Sequence, residues 1–130
     1  MKVFPALTGL TAFVLATLAS AHHSSTMFDN AREVSLEGTV REFQYTNPHS
    51  WLIVAVQDAS GKSTDWSFET VGPSNLIRAG IRKDSLKPGE KVTVKGHPLI
   101  DGRPAAGLMS VTKADGTVLY PNGGPGKASE

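Results

Sequence analysis

The stretch that decides the fold is Val34–Tyr45, VSLEGTVREFQY. Val34, Leu36, Gly38 and Val40 alternate with Ser35, Glu37, Thr39 and Arg41, the period of two of a strand with one buried face. The apolar phase then slips by one position, to Phe43 and Tyr45. One extra residue in a strand reverses the facing of everything after it, so the slip predicts a β-bulge. A long, bent first strand of this kind suits a small barrel.

The elements downstream agree. Trp51–Val56 is continuously apolar and ends at the turn Asp58–Gly61, which predicts a central strand covered on both faces. Thr64, Trp66 and Phe68 alternate with Asp65, Ser67 and Glu69, predicting a half-buried strand with Trp66 and Phe68 inside. Gly72-Pro73-Ser74 opens a short helix over residues 75–79, and Gly80 supplies its left-handed stop. Lys87-Pro88-Gly89-Glu90 reads as a type II turn leading into an alternating strand with Val92, Val94 and Gly96. Asp101-Gly102 is a tight connection to a strand over 106–111, and Asp115-Gly116 starts a short hairpin strand over 118–120. Three strands, one short helix between strands three and four, then two strands and an extension predict an all-β OB-type barrel of five to six strands. A sandwich is the alternative. The barrel domain covers 34–120, preceded by an extended arm, 22–33, and followed by a Gly- and Pro-rich tail, 121–130, expected to be disordered.

Residues 1–21 read as a cleaved signal peptide. Lys2 is followed by an apolar run, Val3–Leu18, and by Ala19-Ser20-Ala21, the small-x-small pattern that a signal peptidase accepts. The run is too short and too diluted by Thr and Gly for a membrane span, which needs about 20 apolar residues. The expected location is therefore the periplasm or the exterior, with no membrane span after cleavage. The formal net charge of +1 rests on Lys2, so the mature chain is neutral and its basic residues are scattered. That composition argues against a nucleic-acid partner. With no cysteine, neither a disulfide framework nor a thiolate metal site exists, and any metal would be held by nitrogen and oxygen.

Four segments together resemble one family: AHHSS with Phe28-Asp29 at the mature start, EGTVREFQYTNPHSW over 37–51, WSFE over 66–69, and LIRAGIRKDSLKPGEKVTVKGHPLIDG over 76–102. It is a family of small exported bacterial proteins known only as a domain of unknown function. The resemblance covers about residues 21–120, and Ile81 departs from it where an aromatic residue is expected. It implies compartment and fold, and no chemistry.

The candidate chemistry lies in the four histidines, His22, His23, His49 and His97. A chain cut after Ala21 starts at His22, whose α-amine, with a pKa of about 8, and ring nitrogen are both donors. With a second imidazole they make a planar three-nitrogen set, which suits Cu(II). His23 offers a weaker arrangement through the intervening amide nitrogen. His49 belongs to the loop Thr46-Asn47-Pro48-His49-Ser50, and His97 to Gly96-His97-Pro98. In an OB-type barrel these two loops are neighbours, so His49 and His97 are expected to share a rim. The arm spans at most about 40 Å, and the first strand uses a similar length in the other direction. The His49–His97 pairing is therefore favoured over a return of His22. Against all of this, a polar terminus and two backbone-bonded histidines explain the same residues.

Asn47, in the Asn47-Pro48 turn, and Tyr45 and Trp51, which flank it, are candidates for a ligand surface, with Glu69 as a further oxygen donor or simply part of a solvated strand face. No Ser-His-Asp order, phosphate loop or His-Glu-x-x-His helix occurs, so an enzyme is not expected. The expected function is an exported carrier or accessory protein binding copper through His22, His49, His97 and His23. The alternative is a metal-free module that binds an envelope protein or a small ligand.

Overall fold

The computed structural model describes residues 27–125. The expected signal peptide 1–21, His22, His23 and residues 126–130 lie outside the described residues.

Six strands and one helix follow in chain order: β1 (Val34–Gln44), β2 (His49–Gln57), β3 (Ser63–Val71), α1 (Pro73–Arg78), β4 (Lys91–Pro98), β5 (Ala105–Lys113) and β6 (Val118–Leu119). The sheet runs β3-β2-β1-β4-β5-β6, and β3 also pairs with β5. That extra pairing closes five strands into a barrel, with β6 outside it. The OB-type architecture and the helix between strands three and four stand as the sequence predicts.

β1 is long because it serves two neighbours. Its first half pairs with β4, from Val34↔Gly96 to Thr39↔Lys91, and its second half with β2, from Thr39↔Ala55 to Gln44↔Trp51. The register shifts between Val40 and Glu42, leaving Arg41 as the extra residue. This is the bulge that the phase slip predicts. Val40 and Phe43 both reach the core as a result. A second shift lies between β4 and β5. Lys95 stands opposite Ser110 and Gly96 opposite Leu108, so Met109 is the extra residue.

Leu52, Val54, Phe68, Leu76, Val94 and Ala106 are fully buried and belong to one cluster. Ile81 and Leu86, from the segment after α1, join it. The helix runs over 73–78, two residues earlier than expected at its start, because Pro73 already fits the first turn. Gly80 (φ +77°) and Ile81 donate back to the carbonyls of Ile77 and Leu76 at 2.9 and 2.8 Å, a Schellman stop. Gly89 (φ +91°) takes the left-handed position of the expected type II turn, closed by Glu90 N–H donating to Lys87 at 3.2 Å.

One expectation is corrected. β2 is covered on one face only: Leu52 and Val54 are buried, whereas Trp51, Ile53 and Ala55 are half-buried. The outside of a barrel wall has no second layer, and neighbouring side chains shield it only in part. The expected tail also begins packed. Pro121 is buried and Gly123 N–H donates to Tyr120 at 3.1 Å.

Three tight turns are fastened by carboxylates. The hydroxyl of Ser60 and then backbone N–H groups hold Asp58 below the usual aspartate range. Backbone N–H donation from Arg103 does the same for Asp101, and from Thr117 for Asp115. A depressed carboxylate stabilises the fold above its unfolded pKa of about 3.9 and loses that contribution as pH falls through the lower folded value. Changing all three to Asn should therefore flatten the loss of stability below pH 4 in urea titrations; an unchanged acid limb would contradict it. Phe68→Ala empties the centre of the barrel and should cost about 3–5 kcal/mol in urea unfolding.

Candidate functional site

The parallel pairing of β3 with β5 is short: Ser67↔Ala105, Phe68↔Ala106 and Glu69↔Gly107. Beyond it the two strands part. Not until Val111 does β5 gain its next neighbour, β6. Thr70 and Val71 on one side, and Leu108 and Met109 on the other, line a cleft of about 450 Å³. His49, Glu69 and His97 stand in its walls, with Phe28, Asn30 and Asn122.

The registers explain how these residues meet. Trp51, Glu69, Gly107 and His97 form one row across β2, β3, β5 and β4. Directly opposed residues share a face. Their sequence neighbours Leu52, Phe68 and Ala106 are in the core, so the row faces outward. Gly107 contributes no side chain to it. The ring of Phe28 lies over that gap, 3.4 Å from where a Cβ would stand. Phe28 is held there by a bridge to Leu99, with Asp29 N–H donating to Pro98 at 2.8 Å and Ile100 N–H to Met27 at 3.0 Å.

Each histidine ring is oriented by an acceptor. His49 opens β2 after the cis Asn47–Pro48 bond, and Thr46 Oγ1 donates to its carbonyl at 2.9 Å. Its Nδ1 bonds to Oε1 of Glu69. Glu69 is only 8 % exposed, and a buried carboxylate requires such a partner. His97 Nδ1 lies 2.7 Å from the carbonyl oxygen of Arg32, which the turn begun by Asp29 presents to it. A carbonyl or carboxylate oxygen accepts, so Nδ1 is the donor in both contacts, and Nε2 is the nitrogen left to carry the lone pair of the neutral imidazole. Neither Nε2 has a hydrogen-bond partner among the described residues. The side-chain hydroxyl of Thr70, which is 7 % exposed, is buried there without a partner.

Of the residues that sequence reasoning singled out, the cleft gathers His49, His97 and Glu69. It does so on the outer wall rather than at a loop rim, because both histidines lie within strands. They stand on opposite banks: β3 and β5 separate β2 from β4, three strand spacings or about 14 Å of wall. Accordingly, among the described residues no three of His, Asp and Glu converge as a ready-made metal cluster. Glu69 is no part of a solvated strand face. The length constraint on the arm also falls away, since Val34 lies opposite Gly96 and Arg32 touches His97.

Tyr45, Asn47 and Trp51 do not line the cleft. The hydroxyl of Tyr45 donates to Ile81 at 3.0 Å, with the Pro73 carbonyl at 3.3 Å, and its ring meets Phe43 edge-on at 5.6 Å. It ties the two ends of the helical segment to the first hairpin. Asn47 is exposed at the turn, and Trp51 is half-buried beside Glu69. Sequence reasoning missed Phe28, Thr70 and Met109. The last carried a signal: in AGLMSV the buried positions Ala106 and Leu108 are followed by Val111, the same kind of phase slip as in β1.

A family model of unknown function, DUF6152, matches residues 11–109. The chain belongs to that family. The matched span takes in all four histidines, Glu69 and, at its last residue, Met109, and it excludes β6. No curated protein and no solved structure gives a significant match. Membership thus carries no activity with it, and the chemistry must be argued from the cleft.

Tyr45→Phe should cost about 1 kcal/mol in urea unfolding, the loss of one partly buried hydrogen bond. A change below about 0.3 kcal/mol would show that the hydroxyl does not hold the helix.

Proposed function

We propose that this member of DUF6152 is an exported carrier or accessory protein that binds a transition metal, copper, in the cleft between β3 and β5. The observation that carries this reading is the matched state of two imidazoles. His49 and His97 each donate a hydrogen bond from Nδ1 to an oxygen acceptor, which leaves Nε2 of the neutral ring free to ligate in the same cleft. Metal-binding histidines are characteristically oriented in this way, and the carboxylate behind His49 makes its ring a stronger donor. Copper is favoured because imidazole suits it and because it tops the affinity order of the divalent first-row metals.

His22 and His23 add donors from the arm. Met27 is tied to Ile100, and the four or five links from it back to His23 or His22 span at most about 18 Å. Ile100 lies three residues from His97, about 10 Å along the strand direction. The reach suffices. In a chain processed after Ala21, the His22 amine would supply a further nitrogen.

The test is titration of the processed protein with Cu(II), beside a form carrying one extra N-terminal residue and the His49→Ala and His97→Ala variants. Each histidine variant should lose at least tenfold in affinity, and all affinities should fall as pH is lowered, because protonated imidazoles do not ligate. Equal affinity with the extra residue removes the terminal amine from the set. Unchanged affinity in both histidine variants overturns the reading.

The polar residues of the cleft wall, Asn30, His49, Glu69, His97 and Asn122, favour a second reading, a metal-free pocket for a small polar ligand. The cleft volume of about 450 Å³ falls within the range of such sites, about 300–1,000 Å³. Here His49→Ala should weaken capture of that ligand even in the presence of chelator.

A further inference from the structure

We infer that the thioether of Met109 is a metal ligand and that it makes the cleft selective for Cu(I). The inference rests on the metal-binding reading above and goes beyond it, since nitrogen and oxygen donors alone were expected from the sequence.

Three observations converge on Met109. It is the extra residue of the β4–β5 bulge. Bulges re-aim side chains and gather beside functional sites. Its neighbour Ser110 pairs with Lys95 and Leu108 pairs with Gly96, so the irregular position falls within the stretch of β5 that borders the cleft. Second, Met109 lies on a strand between those that carry the two imidazoles and lines the same cleft. β5 lies next to β4, which carries His97, and on its other side it joins β3, whose Val71 lies opposite His49. The two rings approach the cleft from opposite banks, and a long, flexible side chain from a strand between them adds a third donor to the same cleft. Third, the chain has no cysteine, so thioether is its only soft donor. Soft sulfur ligands select Cu(I) over the other first-row ions, whereas imidazole accepts several.

No bond is made or broken in this step beyond ligation. Cu(I) enters with its charge unchanged, and neither neutral imidazole nor the thioether loses a proton. This predicts a weaker pH dependence for sulfur-supported Cu(I) than for a Cu(II) set that includes a terminal amine.

The experiment measures Cu(I) affinity anaerobically against a colorimetric Cu(I) chelator, and Cu(II) affinity separately, for the processed protein and for Met109→Leu. Leucine conserves the volume and keeps the packing, and a melting curve checks the fold. Met109→Leu should lose at least tenfold in Cu(I) affinity while its Cu(II) affinity changes less than twofold. X-ray absorption at the copper edge should show a sulfur scatterer in the unaltered Cu(I) protein, a readout that needs no variant to fold. Absence of that scatterer, or Cu(I) affinity in Met109→Leu within twofold of the unaltered chain, overturns the thioether assignment. Should His49→Ala and His97→Ala lower copper affinity while Met109→Leu does not, the imidazole reading stands and only the sulfur fails. If none of the three variants changes the affinity for either ion, both fail.

Discussion

Three residue pairs between β3 and β5 turn an open sheet into a barrel. Without them the order β3-β2-β1-β4-β5 would leave two edges, each a row of unpaired backbone groups. With them, Phe68 and Ala106 meet inside and the core is enclosed. The seam is also short. Its last pair, Glu69 with Gly107, marks where the wall opens, and the opening is the cleft. Closure and site are therefore one feature: the residue that ends the seam on β3 is the buried carboxylate, and the one that ends it on β5 is the glycine under Phe28.

The charge at that point explains the local order. A carboxylate as enclosed as Glu69 loses much of its hydration, and His49 compensates with an N–H donor. The ring is in turn placed by Thr46 and Ser50, whose hydroxyls brace the turn before β2: Thr46 Oγ1 bonds the His49 carbonyl, and fully buried Ser50 bonds the Thr46 backbone. On the far bank the same logic runs through the backbone, with an aspartate-started turn offering the Arg32 carbonyl to His97. Both rings thus arrive with one nitrogen committed, by unrelated means.

What the sequence made legible follows from range. The bulge at Arg41, the Schellman stop at Gly80 and the turn at Gly89 are local effects, carried by period and by residue type within a few positions. They are read directly. The grouping of His49, Glu69 and His97 depends on which strands become neighbours, and the barrel topology supplied enough of that to set His49 and His97 on the two banks of one cleft. The row itself was hidden. That Glu69 faces Gly107, and Gly107 faces His97, is a matter of register between strands far apart in the chain, where one slip of a residue changes every partner. The tie from Tyr45 to the helical segment was hidden for the same reason, because its hydroxyl partner lies 36 residues away at Ile81.

Each of the two bulges sits in a strand that has to serve two neighbours. β1 passes from β4 to β2, and Arg41 follows the changeover at Thr39. β5 passes from β3 to β6 along one edge, and Met109 lies in the interval between Gly107 and Val111. An added residue increases local twist and bends the strand. At β1 the bend lets one strand wrap the barrel. At β5 it falls where no strand covers that edge, so the side chain it re-aims borders a cleft instead of a packed seam. The same device that shapes the wall on one side thereby sets a thioether residue in the wall of the cleft that two oriented imidazoles also line.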